Sequence, residues 1–378
     1  MVQDTLTFYF QGIASVLAVL SAISFIFVEN TLVAVFASRI LGGLSHGIAY
    51  LTVLIHGCEI AKGHLRGYVM TLIHSSLLVG VYMLSLINDQ IYRNLSYDVS
   101  PDVVIGIIGV VVVPIGMILA FFFTLESPVY LIQNQREDEA LAVLIRLRNR
   151  KMENQEIRAE FNELKQMIDE DAQNQKTFDR NHVKQLLIII LLKLSFVASF
   201  NLPINFLFMS TVGADFYNAL LRMALCFLSM FYVDINKKQT LIASVGFSGV
   251  VLISSTVAFV ASDNFKGSLA AVLIALLFQV SAGKGIGSLA DIYSTEVFNT
   301  YKKPTYIAIA TSIEYIVQIS LVCSVLYYDI SFYAISPYAI LIPSFIIMLG
   351  TSFVVWYFVP DTNGMSLREA RNKFFKFY

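Results

Sequence analysis

Four ionisable residues, His74, Lys284, Asp291 and Glu314, stand inside long apolar stretches. A charge within a hydrophobic span is expensive and faces a cavity, water or an opposite charge. Together these side chains could line one cavity that binds a charged solute or relays a proton. Each also has a plainer reading. Asp291 precedes Glu296 by five residues and could sit at the water boundary. Lys284 could snorkel to the interface or pair with Asp291 or Glu314, and His74 could serve a helix contact. Lys193 and Arg222, also within apolar runs, are assigned structural or interfacial roles. Gly285 and Gly287 are expected to loosen and pack a helix, because no Lys-Ser/Thr of a phosphate loop follows them.

Covalent and metal chemistry find no support. The histidines are scattered, and no HExxH, CxxC or Gly-x-Ser-x-Gly pattern occurs. Cys58, Cys226 and Cys323 lie far apart in apolar runs, as core or lipid-facing thiols do. Neither an enzyme nor a metal site is expected.

The elements that must position the ionisable residues follow from composition. The 378 residues are 57% hydrophobic and 14% charged, with mean hydropathy +0.69, which argues against a soluble enzyme. The net charge of -1 argues against nucleic-acid binding. Continuous apolar runs of about 20 residues predict membrane helices, about ten of them. They are Phe10–Val28, Val33–Cys58, Tyr68–Ile87, Val103–Leu125, Leu186–Met209, Asn218–Val233, Leu241–Ala261, Leu269–Tyr293, Tyr306–Tyr328 and Tyr338–Val359. The sixth is short and carries Arg222. The first lacks a basic leader and a cleavage site, so it is expected to stay in the mature chain.

Lys and Arg concentrate on one side of these spans: Lys62, Arg66, the Arg136–Lys184 stretch, Lys237, Lys238, Lys302, Lys303 and the tail from Arg368. Only Arg93 and Lys266 fall in loops on the other side, which predicts cytosolic termini. Asn94-Leu95-Ser96, a candidate glycosylation sequon, lies in a loop on the opposite side. The expected organisation is an incomplete four-span bundle over 1–125, a cytosolic helical loop over 126–184, a six-span bundle over 185–359 and a cytosolic tail over 360–378. Within the loop, Leu141, Leu144 and Leu147, then Phe161, Leu164 and Ile168, predict amphipathic helices.

Glu59 is followed seven residues on by Arg66, and Glu296 by Lys303, each pair just after a span. Superposing the two pairs lays the second, third and fourth spans on the eighth, ninth and tenth, the repeated-half pattern of a transporter. Acids and bases at such helix mouths could pair in one conformation and part in another, forming a latch.

In order along the chain, several runs resemble the sugar porter family of the major facilitator superfamily: Ser38-Arg39 through Gly47, Glu59 with Arg66-Gly67, Glu126-Ser127-Pro128, Thr295-Glu296-Val297-Phe298 and Pro360-Asp361-Thr362-Asn363-Gly364. The resemblance implies an all-α major facilitator-like bundle of four plus six spans, working by alternating access. It places Glu126, Asp234, Lys237 and Lys238 in the latch with Glu59, Arg66, Glu296 and Lys303. It places His74, Asn205, Asp291, Glu314, Tyr315 and Gln318 in the solute site. Arg39 and Lys284 are the buried charges. The family's first two helices have no counterpart in this chain, so the usual carboxylate partner of Arg39 is missing. The prolines and tryptophan of the tenth helix are replaced across Gly285–Asp291.

The expected function is transport of a small polar solute, a hexose above other monosaccharides, facilitative or proton-coupled. The expected setting is the lipid bilayer of the plasma membrane, without a cofactor unless the proton is the coupling ion. Two rival readings remain: a truncated, non-transporting regulatory or sensor-like member, and an organic-ion transporter.

Overall fold

A computed structural model describes residues 6–27, 31–87, 101–150, 152–173, 180–200, 215–261, 268–327 and 338–376. Helix is the regular structure throughout, and no strand occurs among the described residues. Eight helices within them are long and apolar enough to cross a membrane. The helices are α1 Leu6–Ile26, α2 Leu32–Ile60, α3 Arg66–Leu86, α4 Pro101–Phe123, α5 Pro128–Gln133, α6 Glu137–Leu147, α7 Gln155–Gln173, α8 Arg180–Ser199, α9 Asp215–Ser229, α10 Lys237–Ala261, α11 Leu269–Gly283, α12 Ile286–Val297, α13 Lys303–Tyr327, α14 Tyr338–Phe358 and α15 Leu367–Lys376. Nine of the ten apolar runs picked from the sequence form a single helix over most of their described part, and the eighth is divided between two helices.

The chain separates into two compact units, one of residues 1–60 and 83–173, the other of 61–82 and 174–378. In the first, α1 packs on α2 and α4. Small residues allow the close approach: an added Cβ at Gly106 would meet Ala22 O, and one at Gly109 the Ala22 side chain. Ser21 Oγ donates to Ser38 O at 2.8 Å and Ser45 Oγ to Ala14 O at 2.7 Å, so these hydroxyls are satisfied across the helix pair. The outward faces carry exposed Leu, Ile, Val and Phe, as a lipid-facing surface requires.

The connecting helices α5 to α7 start from local signals. Ser127 caps α5, accepting from Tyr130 N, with Pro128 in the first helical position. Asn154 Oδ1 accepts from Ile157 N at 2.9 Å to start α7. Leu144, Ile157, Met167 and Ile168 are buried, while the remaining apolar positions expected on these helices are half-buried. Arg148 fastens α6 to Glu160 of α7 and to Ile60 O at the end of α2.

In the second unit α8 packs on α12, α13 and α14, while α10 packs on α11 and α14. The eighth expected span is broken rather than continuous. α11 ends at Gly283, Lys284 caps it, and Gly285 takes φ 118 before α12 begins. That backbone region is open to glycine and strained for other residues.

Candidate functional site

α8, α12 and α13 each bring one charged side chain into the interior of the second unit. Lys193 Nζ stands 2.5 Å from Asp291 Oδ1 and 3.4 Å from Glu314 Oε2. His74, from α3, completes the group, with Nδ1 at 3.6 Å from Asp291 Oδ2. All four are buried. An ion pair in so dry a setting holds only when each charge has close partners, and here one ammonium serves two carboxylates.

The spacing that brings them together is helical and local. The break at Gly285 redirects the chain so that α12 runs against α8, and Asp291 reaches Lys193. Gly287 sits where an added Cβ would collide with the His74 imidazole and come within 2.8 Å of Phe196. Phe196 in turn meets His74 edge-on at 5.1 Å between centroids and Phe200 at 5.0 Å. Ser195 Oγ donates to Thr351 Oγ1 at 2.6 Å, fixing the α8 face next to Lys193 against α14.

Of the residues expected to touch solute, His74, Asp291 and Glu314 gather in this cluster. Asp291 is 1% exposed, which rules against its placement at a water boundary in this structure. Tyr315 and Gln318 are half-buried on α13 beyond Glu314. Asn205 lies outside the described residues, as does Asn94. Lys284 is exposed at the helix break and not a buried charge, because the α11 C-cap turns it out of the packed interior. The cation of this cluster is Lys193, which sequence reasoning assigned to a structural or interfacial role. Its signal was available: it is flanked by Leu191, Leu192 and Leu194 in mid-span. Arg39, expected to be buried, has a side chain 64% exposed and pairs with Asp102 at 3.4 Å under the ring of Phe25. Asp102 lies in the first turn of α4.

The residues expected to form a latch fall into two groups. In the second unit, Glu296 Oε1 accepts from Arg66 Nη1 at 2.7 Å and from Lys237 Nζ at 3.1 Å, while Thr362 Oγ1 donates to Oε2 at 2.7 Å. Asp234 caps α3, accepting from Gly67 N and Tyr68 N at 2.8 Å each. Lys238 Nζ donates to Trp356 O at the end of α14, a favourable place for a cation. Lys303 is buried at the first residue of α13. In the first unit, Glu59 Oε2 accepts from Ser127 Oγ at 2.5 Å. Glu126 pairs with Arg136 at 3.3 Å, and Arg136 also grips Glu139. Burial pushes the Glu126 carboxyl up, partly offset by Arg136. The hydrogen bond from Arg136 holds Glu139 below the ordinary carboxylate range.

The two acids matched by the sequence spacing each accept a hydroxyl hydrogen bond. Glu59 takes a hydroxyl from Ser127, and Glu296, its repeat counterpart, takes one from Thr362. No group of three or more His, Cys, Asp and Glu able to hold a metal occurs among the described residues.

Comparison with known proteins agrees with this architecture. The chain is 26% identical over 360 residues to "Sugar transporter ERD6-like 15" of Arabidopsis thaliana, covering 89% of this chain and 71% of that protein. The proton:xylose symporter XylE, a major facilitator superfamily protein, bound to 6-bromo-6-deoxy-D-glucose, superposes with a TM-score of 0.80 at 18% identity, over 97% of this chain and 83% of that one. The inward open form of the xylose transporter XylE from E. coli gives 0.64 at 17% identity, over 97% and 82%. The all-helical major facilitator bundle read from the sequence is therefore the fold, and the protein is an integral membrane protein. The family described as "Sugar (and other) transporter" matches residues 11–374, and with nearly the whole chain matched, the protein belongs to that transporter family.

Proposed function

We propose that the chain carries a hexose across a membrane by alternating access, coupled to protons. The observation that supports it best is the buried group of Lys193, Asp291, Glu314 and His74 on helices that the resemblance assigns to solute binding. Lys193 brings one positive charge against two carboxylates. A proton on Glu314 or His74 brings the buried group to neutrality, so proton binding and helix packing are linked there. Tyr315, Gln318 and Asn205 would read sugar hydroxyls beside it, as neutral polar groups do in solute sites. The Arabidopsis thaliana relative is a sugar transporter and XylE a proton:xylose symporter, and both support the same reading.

Arg66, Lys237 and Thr362 around Glu296 act in this reading as a closed gate at the cytosolic mouth, which opens when Glu296 exchanges these partners. The four-plus-six division, cytosolic termini, a plasma-membrane location and a glycan on Asn94 belong to the same proposal.

The experiment is uptake of radiolabelled hexose into proteoliposomes with and without an imposed inward proton gradient. Accumulation above equilibrium in the wild type is expected. Glu314→Gln should still equilibrate sugar while losing gradient-driven accumulation. Uptake indifferent to the gradient in the wild type would refute the coupling.

A further inference from the structure

Lys193 stands in mid-span on α8 and is 1% exposed. Its ammonium lies between carboxylates from two other helices, 2.5 Å from Asp291 Oδ1 of α12 and 3.4 Å from Glu314 Oε2 of α13. Two anionic oxygens brought together in a dry interior form a cation site, because each loses its hydration and needs a positive charge close by. Hard oxygen ligands of this kind take metal ions and ammonium groups.

Here the chain's own ammonium fills that place. The stem of Lys193 is packed inside the unit, and Ser195, two residues on, is tied to Thr351 of α14 at 2.6 Å, so a fixed helix delivers the ammonium. A group tethered in this way competes at an effective concentration of about millimolar or higher. A free metal ion or amine must displace it and leave two positive charges buried side by side, a costly arrangement. A proton differs, since it joins a carboxylate oxygen and needs no room of its own.

We propose that Lys193 is a specificity-determining residue: a resident ammonium that fills the cation site of Asp291 and Glu314, closing it to metal ions and amine solutes while leaving it open to a proton. Choice of the proton over sodium as coupling ion rests on the function proposed above; the filled site itself does not.

The test is thermal unfolding of the purified full chain in detergent, wild type beside Lys193→Ala. Sodium, propylammonium or choline chloride is present at equal ionic strength from extraction onward. Propylammonium restores the atoms that the substitution removes, whereas choline is bulky and has no N–H to donate. The wild type should show no saturable response to any of the three salts. Lys193→Ala should unfold lower in choline and recover saturably, by about 2 °C or more, in propylammonium or sodium, as ligand linkage requires. Adding Asp291→Asn and Glu314→Gln to Lys193→Ala should abolish that recovery. If Lys193→Ala does not fold, Lys193→Ala with Glu314→Gln buries one carboxylate fewer and carries the same test through Asp291. The proposal is overturned by indifference to the cation in both variants, by failure of both to fold even with propylammonium, or by recovery that persists without the carboxylates. A wild type stabilised saturably by sodium or propylammonium also overturns it. No sugar or proton gradient enters the readout, so this proposal and the carrier reading can fail separately.

Discussion

Gly287 has no room for a side chain. An added Cβ runs into His74 and Phe196, so Gly287→Ala should displace the imidazole from Asp291. Overpacking of this kind costs about 1–3 kcal/mol. A lowered thermal midpoint together with reduced sugar binding would match; an unchanged protein would show that His74 has slack. At the loop, Glu139 has its folded-state pKa lowered by Arg136, so its contribution is present above the ordinary carboxylate range and is lost as pH falls through it. Glu126 has the opposite sign: its raised carboxyl costs stability once ionised, as pH rises. Thermal unfolding followed against pH should therefore show Glu139→Gln destabilising at pH 7 and neutral in acid, with Glu126→Gln showing no such pH-dependent loss at pH 7. Ionisable residues in apolar runs marked His74, Asp291 and Glu314 in the sequence alone, because burial of a charge demands a partner. Burial of Lys193 was legible in the same way, from the leucines around it, whereas the outward turn of Lys284 was not, since it depends on the helix break at Gly285.

That break is the decisive element. The run from Leu269 to Tyr293 reads as one unbroken apolar span, and the prolines that would have announced an interruption are gone. Gly285 at φ 118 makes the interruption instead, and α12 then carries Asp291 inward. Gly285→Ala would force a side chain into that backbone region at a cost of about 1–3 kcal/mol. The expected outcome is a lowered thermal midpoint with a weakened solute response, whereas an unaltered midpoint would mean that the turn can relax. The spans themselves were legible because length and unbroken apolarity suffice for a membrane helix. The loop helices were legible from the spacing of Leu144 and Ile168, which are buried as that spacing requires.

For the whole molecule, the repeat visible as Glu-x6-basic pairs becomes two acids that each accept a hydroxyl hydrogen bond, from Ser127 and from Thr362. The pairing partner was not legible. Sequence spacing suggests Glu296 with Lys303, but Glu296 is bound by Arg66 and Lys237, which come from far along the chain. Glu296→Gln removes the acid shared by the buried Arg66 and Lys237, and losing one partner of a buried pair costs about 3–5 kcal/mol. A drop in thermal stability together with faster thiol labelling inside the bundle is expected; stability kept at the wild-type value would remove the latch from the account.

The most direct test of the central claim, a sugar carrier working by alternating access, is entrance counterflow in proteoliposomes. Vesicles loaded with unlabelled hexose and diluted into trace labelled hexose should show a transient overshoot of label, because a single carrier site returns inward occupied by the labelled sugar. A folded wild-type chain that gives no overshoot with any hexose would contradict the account.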